Sequence, residues 1–311
     1  MPTPMRNPVS PLEPGLWGVL ATPFSGSSFI VDVESLRREV QLFTAVSATG
    51  LVVLGVFGEG DSLDSVEQAL VVRTVADEAG STPLVVGLSS RTTAVAIEQA
   101  RTAVGAAGDH LAGLMVQVNS SDSDVLTAHL SAVHEATGAG IVVQDYPVAS
   151  GVRITPAQIL ATVNRCPFVV AIKSEAPPTA AGIAELTEST TVPVFGGLGG
   201  VGLLDELAAG AAGAMTGFSH PEGLRQALTA WADGGHRSAR DAFAPWLPLV
   251  NFEAQPGIGL ALRKEILRRR GVIDDARVRP PFPTLPSRLA ALIDAHLEAV
   301  SDQAVAMKAR D

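Results

Sequence analysis

Short apolar runs alternate with longer amphipathic ones along most of the chain. The apolar runs fall at 16–22 (LWGVLAT), 50–54 (GLVVL), 84–88 (LVVGL), 112–118 (AGLMVQV), 140–144 (GIVVQ), 168–172 (FVVAI), 192–195 (VPVF) and 213–217 (GAMTG). They are continuously apolar rather than alternating, as parallel strands covered on both faces should be. Each is followed by a helical pattern, at about 31–48, 62–79, 92–107, 124–137, 155–164, 179–188, 203–209 and 221–233. Asp32 offers an N-cap to the first, with Leu36, Val40 and Phe43 at helical spacing, and Pro156 suits the first turn of the fifth. Eight strand–helix units without a break in rhythm predict an α/β fold of the (β/α)8 TIM-barrel kind. An open doubly wound sheet would need fewer.

After residue 235 the rhythm changes. Segments 236–250, 257–270 and 285–300 read as three helices with no strand among them, the last two separated by the proline-rich RPPFPTLP at 279–286. The expected organisation is a flexible N-terminal segment at 1–14, a barrel at 15–235, a helical C-terminal appendage at 236–300 and a frayed tail at 301–311.

Composition narrows the function classes. The 311 residues carry a net charge of −10, with 47% hydrophobic and 17% charged residues, and no apolar run reaches membrane-spanning length. No cluster of basic residues with interleaved aromatics is present, so neither nucleic acid nor an anionic membrane is expected as a partner. The single cysteine, Cys166, excludes an internal disulfide, and the proline-rich first residues lack the apolar core of a signal peptide. A reducing, cytoplasmic setting is expected. Lysine is rare, at 173, 264 and 308 only, and Tyr146 is the sole tyrosine.

Barrel chemistry sits at the C-terminal ends of the strands and in the loops that follow. There stand Thr22-Pro23-Phe24, the GVFGE of 55–59, Ser89-Ser90-Arg91, Asn119-Ser120, Asp145-Tyr146, Lys173-Ser174-Glu175, the GGLGGVG of 196–202 and Thr216-Gly217-Phe218. Lys173 ends an apolar strand, where desolvation favours the neutral amine that attacks a carbonyl; a lysine snorkelling to solvent is the plainer alternative. Tyr146, on the neighbouring strand, is placed either to move a proton or simply to pack. The GVFGE loop is either a backbone cradle for a carboxylate or a plain tight turn. The glycines at 197, 199 and 202 match a dinucleotide motif in form, but they lie in the seventh unit rather than the first. A phosphate cradle is the remaining functional reading of that loop. The six histidines are scattered, and the nearest pair, His129 and His134, is five apart and on different helix faces, so no metal site is expected. No cofactor is called for.

Taken in order, GVFGE after strand two, QDYP on strand five, VVAIK on strand six, GG after strand seven, GAAGAMTG on strand eight and ATPF near the start resemble the dihydrodipicolinate synthase/N-acetylneuraminate lyase family. The resemblance runs from about residue 15 to 300. It implies a Schiff-base-forming (class I) aldolase or dehydratase acting on pyruvate or a related 2-oxo acid, usually as a homotetramer or homodimer. It implies that Lys173 forms the imine and Tyr146 transfers protons. It also implies that Val56, Phe57, Gly58, Asn119, Gly197 and Met215 line the substrate site.

The departures from the family pattern are specific. Val56 and Phe57 replace two threonines, removing a hydroxyl relay to the tyrosine and a carboxylate contact. The segment at 117–120 (QVNS) lacks the tyrosine that a neighbouring subunit often lends, and YPVASGVRI lacks the arginine at its usual place, with Arg153 a few residues late. Dihydrodipicolinate synthesis itself is therefore not expected. Phe57 points to a substrate with an apolar part, recognised by Gln144, Asp145, Asn119, Ser120 and Ser174. Two other readings compete: a catalytically silent barrel that binds a small acid or sugar as a sensor, and a phosphate-binding barrel that uses the loop at 196–202.

Overall fold

The computed structural model describes residues 9–308 of the chain. Eight parallel strands close into one barrel: β1 (Gly15–Val19), β2 (Gly50–Val53), β3 (Leu84–Leu88), β4 (Leu111–Gln117), β5 (Ile141–Asp145), β6 (Val169–Ser174), β7 (Val194–Gly196) and β8 (Gly213–Thr216). Around it run α1 (Val33–Ala45), α2 (Ser65–Glu78), α3 (Thr93–Ala107), α4 (Ser123–Thr137), α5 (Pro156–Val163), α6 (Thr179–Thr187), α7 (Leu203–Ala208) and α8 (Pro221–Phe243). The predicted barrel is present, each strand pairing with its sequence neighbours and β8 closing on β1.

Local chemistry sets the helix starts. Asp32 accepts from the Ser35 N–H, and Asp64 with Glu67 and Thr155 with Gln158 form reciprocal capping boxes. Strand alternation then sorts the core into two shells. Trp17, Val52, Val85, Met115, Val142, Ala171, Phe195 and Met215 fill the barrel interior. Leu51, Val53, Leu84, Val86, Leu114, Val116, Val143 and Ile172 face the helices. Both faces being buried is why these strands read as unbroken apolar runs.

Two expectations need correction. Residues 9–14 are not loose: Leu12 is buried in the barrel interior cluster with its N–H on Val170 O (3.0 Å), and Trp17 donates its indole N–H to Glu13 O (2.9 Å). An apolar residue in a proline-rich leader had a core to enter, the open bottom of the barrel. The expected boundary at 235/236 coincides with the break at Gly235 (φ 67°), which divides α8 into two helical stretches. The frayed tail is also helical through residue 308, as part of Ala290–Lys308. Residues 1–8 and 309–311 of the two expected loose ends lie outside the described residues.

The appendage consists of α9 (Leu247–Glu253), α10 (Gly259–Arg269) and α11 (Ala290–Lys308). It docks at the C-terminal ends of the barrel strands, beside β8, β1 and β2. The fully buried Lys264 of α10 pairs with Glu59 at the end of the GVFGE loop, whose other oxygen accepts from Arg279 N (2.8 Å). Arg279 makes a two-pronged contact with Glu67 of α2 (2.7 Å each). A two-stranded ribbon, Phe24–Ser25 with Ile30–Val31, lies beneath these cations, the Phe24 ring 4.5 Å from Lys264 Nζ and 4.4 Å from the Arg279 guanidinium. Among the described residues no helix is long and apolar enough to cross a membrane.

Candidate active site

Alternation along β5 and β6 decides which polar residues enter the barrel. Val142 and Ala171 face inward, so Gln144 and Lys173, each two residues on, face inward as well; the two are register partners. Asp145 and Ser174 pair on the other face, Ser174 Oγ against α6 at Gly182. Glu175 returns to the inside.

Lys173 is 5% exposed, and its Nζ stands 3.3 Å from Glu175 Oε2. That same oxygen accepts from Gln144 Nε2 (2.7 Å), and Oε1 takes the Leu198 N–H (3.4 Å). Tyr146 caps the single helical turn Pro147–Ser150 and closes one side of the pocket. Its hydroxyl bonds to no other described residue, and the apolar Val56 shares the pocket wall with it. Burial, reinforced by the charge of Glu175, pushes the phenol above its ordinary range.

The pocket around Lys173 is walled by Val19, Val56, Phe57, Tyr146, Leu198 and Thr216, with Arg263 of α10 entering from the appendage. The Arg263 guanidinium lies 4.3 Å over the Phe57 ring, and its Nε donates to the buried Glu253 (3.3 Å). A second cavity of about 450 Å3 adjoins the first through Val56, Gln144 and Tyr146. Asp61, Ser89, Arg91, Gln117 and Phe282 lie on its far walls.

The sequence-predicted residues divide. Lys173, Tyr146, Val56 and Phe57 meet at one pocket. Gly58 lies behind it, its carbonyl accepting from Thr22 Oγ1 (2.6 Å). Met215 is fully buried in the barrel interior and walls neither cavity. Gly197 acts by leaving room, since a β-carbon there would collide with the Glu175 carboxylate. Asn119 lies outside both cavities, with its amide on Arg91 O (3.4 Å). Asp145, with one oxygen unpartnered, is pushed up to about 6, mainly by burial and then by Glu175. Arg153 is exposed; the arginine near the tyrosine loop is Arg91, which bonds to Ser150 O.

Three residues were not assigned a role from sequence. Glu175 carried a signal, a carboxylate two residues beyond an inward lysine. Arg91 stood at a strand end among unassigned polar residues. Arg263 offered none, because nothing in a helix far along the chain indicates that it reaches the barrel mouth. One face of the Phe57 ring, expected to offer apolar surface, carries that guanidinium. The loop at 196–202 is also no free phosphate cradle: the N–H groups of Leu198, Gly199, Gly200 and Val201 bond to Glu175, Thr216, Gly197 and Leu198.

Comparison with known proteins agrees with this geometry. Residues 13–299 match the model of the Dihydrodipicolinate synthetase family. An L-2-keto-3-deoxyarabonate dehydratase of Azospirillum brasilense is 30% identical over 300 residues, covering 93% of this chain and 95% of that protein. A 4-hydroxy-tetrahydrodipicolinate synthase of Kineococcus radiotolerans is 29% identical over 295 residues, covering 93% and 94%. The crystal structure of dihydrodipicolinate synthase from Rhodopseudomonas palustris superposes with a TM-score of 0.86 at 28% identity, covering 94% of this chain and 99% of that one. A match across nearly the whole chain, on the fold that carries an inward lysine, settles the family: this protein belongs to the Dihydrodipicolinate synthetase family.

Proposed function

We propose that the protein is a Schiff-base lyase in which Lys173 forms an imine with a 2-oxo acid and Tyr146 moves the protons. The observation that carries it is the inward Lys173 facing Tyr146 across one small pocket, inside a family fold. Glu175 Oε2, 3.3 Å from Nζ, takes the proton that the ammonium must lose before it can attack. Nζ then adds to the C2 carbonyl, whose oxygen gains a proton from the Tyr146 hydroxyl. Loss of that oxygen as water leaves the imine. The imine acidifies the C3 protons, and the resulting enamine expels hydroxide from C4 as water in a dehydration, or is itself the product of C3–C4 cleavage in an aldol reaction.

Dehydration of a 3-deoxy-2-oxo sugar acid is the favoured direction. The 30%-identical relative bears a dehydratase name, and the adjoining cavity offers Asp61, Ser89, Arg91 and Gln117 to a hydroxylated chain. Dihydrodipicolinate synthesis is disfavoured by Val56 and Phe57 in place of threonines and by the exposed Arg153. The working assembly is a homotetramer or homodimer, which sedimentation at several concentrations would establish.

Borohydride trapping with pyruvate and a panel of 3-deoxy-2-oxo sugar acids, read by intact mass, tests the reading. An adduct is expected that is lost in Lys173→Ala. Tyr146→Phe should still trap but turn over about 10^2- to 10^4-fold more slowly. Ligand binding with no adduct for any acid would replace the lyase with the silent barrel.

A further inference from the structure

We propose that Arg263, from the C-terminal appendage, is the anion-binding group for the 1-carboxylate of the substrate, in place of the hydroxyl groups absent at Val56 and Phe57; this rests on the lyase reading above.

Three observations converge on it. The guanidinium is 97% buried yet forms part of the wall of the Lys173 pocket. Only Nε has a protein hydrogen bond, to Glu253 Oε2 at 3.3 Å, and neither Nη1 nor Nη2 bonds to a described residue. Glu253 is itself held by the Ser219 N–H (3.2 Å) and hydroxyl, so it fixes the fork by one edge and leaves the Nη1–Nη2 edge free. A free planar pair of N–H donors in a largely buried pocket matches the two oxygens of a carboxylate better than a single hydroxyl or carbonyl.

The surroundings hold that edge in place. The Phe57 ring supports one face of the guanidinium at 4.3 Å. A β-carbon at Gly217 would strike Nη1, and one at Gly199 would stand 3.8 Å from Nη2, so the guanidinium occupies room that two glycines leave beside it. The GVFGE loop cannot replace them in full. Its Gly58, Glu59 and Gly60 N–H groups bond to Gly55 O, Val56 O and Gly55 O within the turn, leaving those of Val56 and Phe57 for a ligand. A buried arginine with two unused donors therefore lies on the side of the pocket where the hydroxyls are missing.

Oxamate is the probe, because it keeps the carboxylate of pyruvate but forms no imine. Its binding is measured by calorimetry in the wild type and in Arg263→Met/Glu253→Gln, which removes the cation together with the charge of the carboxylate bonded to it. Binding is expected to weaken by about ten- to hundred-fold. Unchanged binding in a variant with a wild-type circular dichroism spectrum overturns the assignment. A measurement without any variant guards against misfolding: pyruvate should be trapped at least about ten-fold more efficiently than methyl pyruvate, and equal efficiency overturns it. The two readings separate cleanly. Oxamate binding that depends on Arg263 with no trapping of any acid keeps the anion site and removes the lyase. Efficient trapping with Arg263-independent oxamate binding does the reverse.

Discussion

Lys264 has an ammonium group with no access to water, paired directly with the Glu59 carboxylate and attracted also by the buried Glu39. Burial pushes the lysine down and the glutamate up, while their mutual attraction opposes both shifts. Breaking such a pair from one side leaves an uncompensated charge, so Lys264→Met should lose about 3–5 kcal/mol in urea titration. The double change Lys264→Met/Glu59→Gln should recover much of it. Glu175 makes a different prediction. Its charge contributes to raising Tyr146, so Glu175→Gln, which keeps an acceptor for Leu198 N–H, should move the alkaline limb of the kcat/KM profile to lower pH. An unmoved limb would separate Tyr146 from the titration.

The loop between β7 and α7 shows how an element positions a side chain by what it omits. Gly197 lies against the Glu175 carboxylate, and Leu198 donates its N–H to the same group. Gly197→Ala should displace Glu175 and with it the Lys173 contact, lowering kcat by about 10^2-fold, as misplacements on the order of 1 Å do. Thermal melting would show whether the barrel is otherwise intact. In α8 the break at Gly235 combines φ 67° with ψ −159°, a region that side chains with a β-carbon avoid, although a β-carbon there meets nothing within 4 Å. Gly235→Ala should therefore lose about 1–3 kcal/mol through backbone strain alone, measurable by chemical denaturation.

At the scale of the whole molecule, burial makes stability depend on pH. Glu39 between α1 and the appendage and Glu206 under the β7 loop are both pushed up to about 7, and Asp145 to about 6, in each case mainly by burial. These groups bind protons more tightly when folded than their ordinary values of 4.5 and 3.8 allow. Between the unfolded and folded values the native state therefore carries the extra protons, and stability falls as pH rises, by up to about 1.4 kcal/mol per pH unit for each group. The contribution is whole below the unfolded values and gone above about 7. Glu39→Gln should flatten its share of the slope between pH 5 and 7, with Gln still accepting the Ala21 N–H that Glu39 Oε1 now takes.

Much of this molecule was legible along the chain, because periodicity and strand alternation are local. The continuously apolar runs determined the parallel strands, their number determined the barrel, and the strand ends put Lys173 and Tyr146 at its mouth. Sequence also singled out Tyr146 as the only phenol and Val56 and Phe57 as the site of lost hydroxyls. What it could not determine depends on contacts between segments far apart. Whether Leu12 found a core depended on the open end of a barrel that closes only when β8 meets β1. Arg91 rather than Arg153 reaches the tyrosine loop because one points into a cavity and the other into solvent. Arg263 enters the pocket because α10 packs across the barrel mouth, with Lys264 anchoring it to Glu59. A side chain's neighbours across such a packing have no period in the sequence, and only the tertiary structure brings them together.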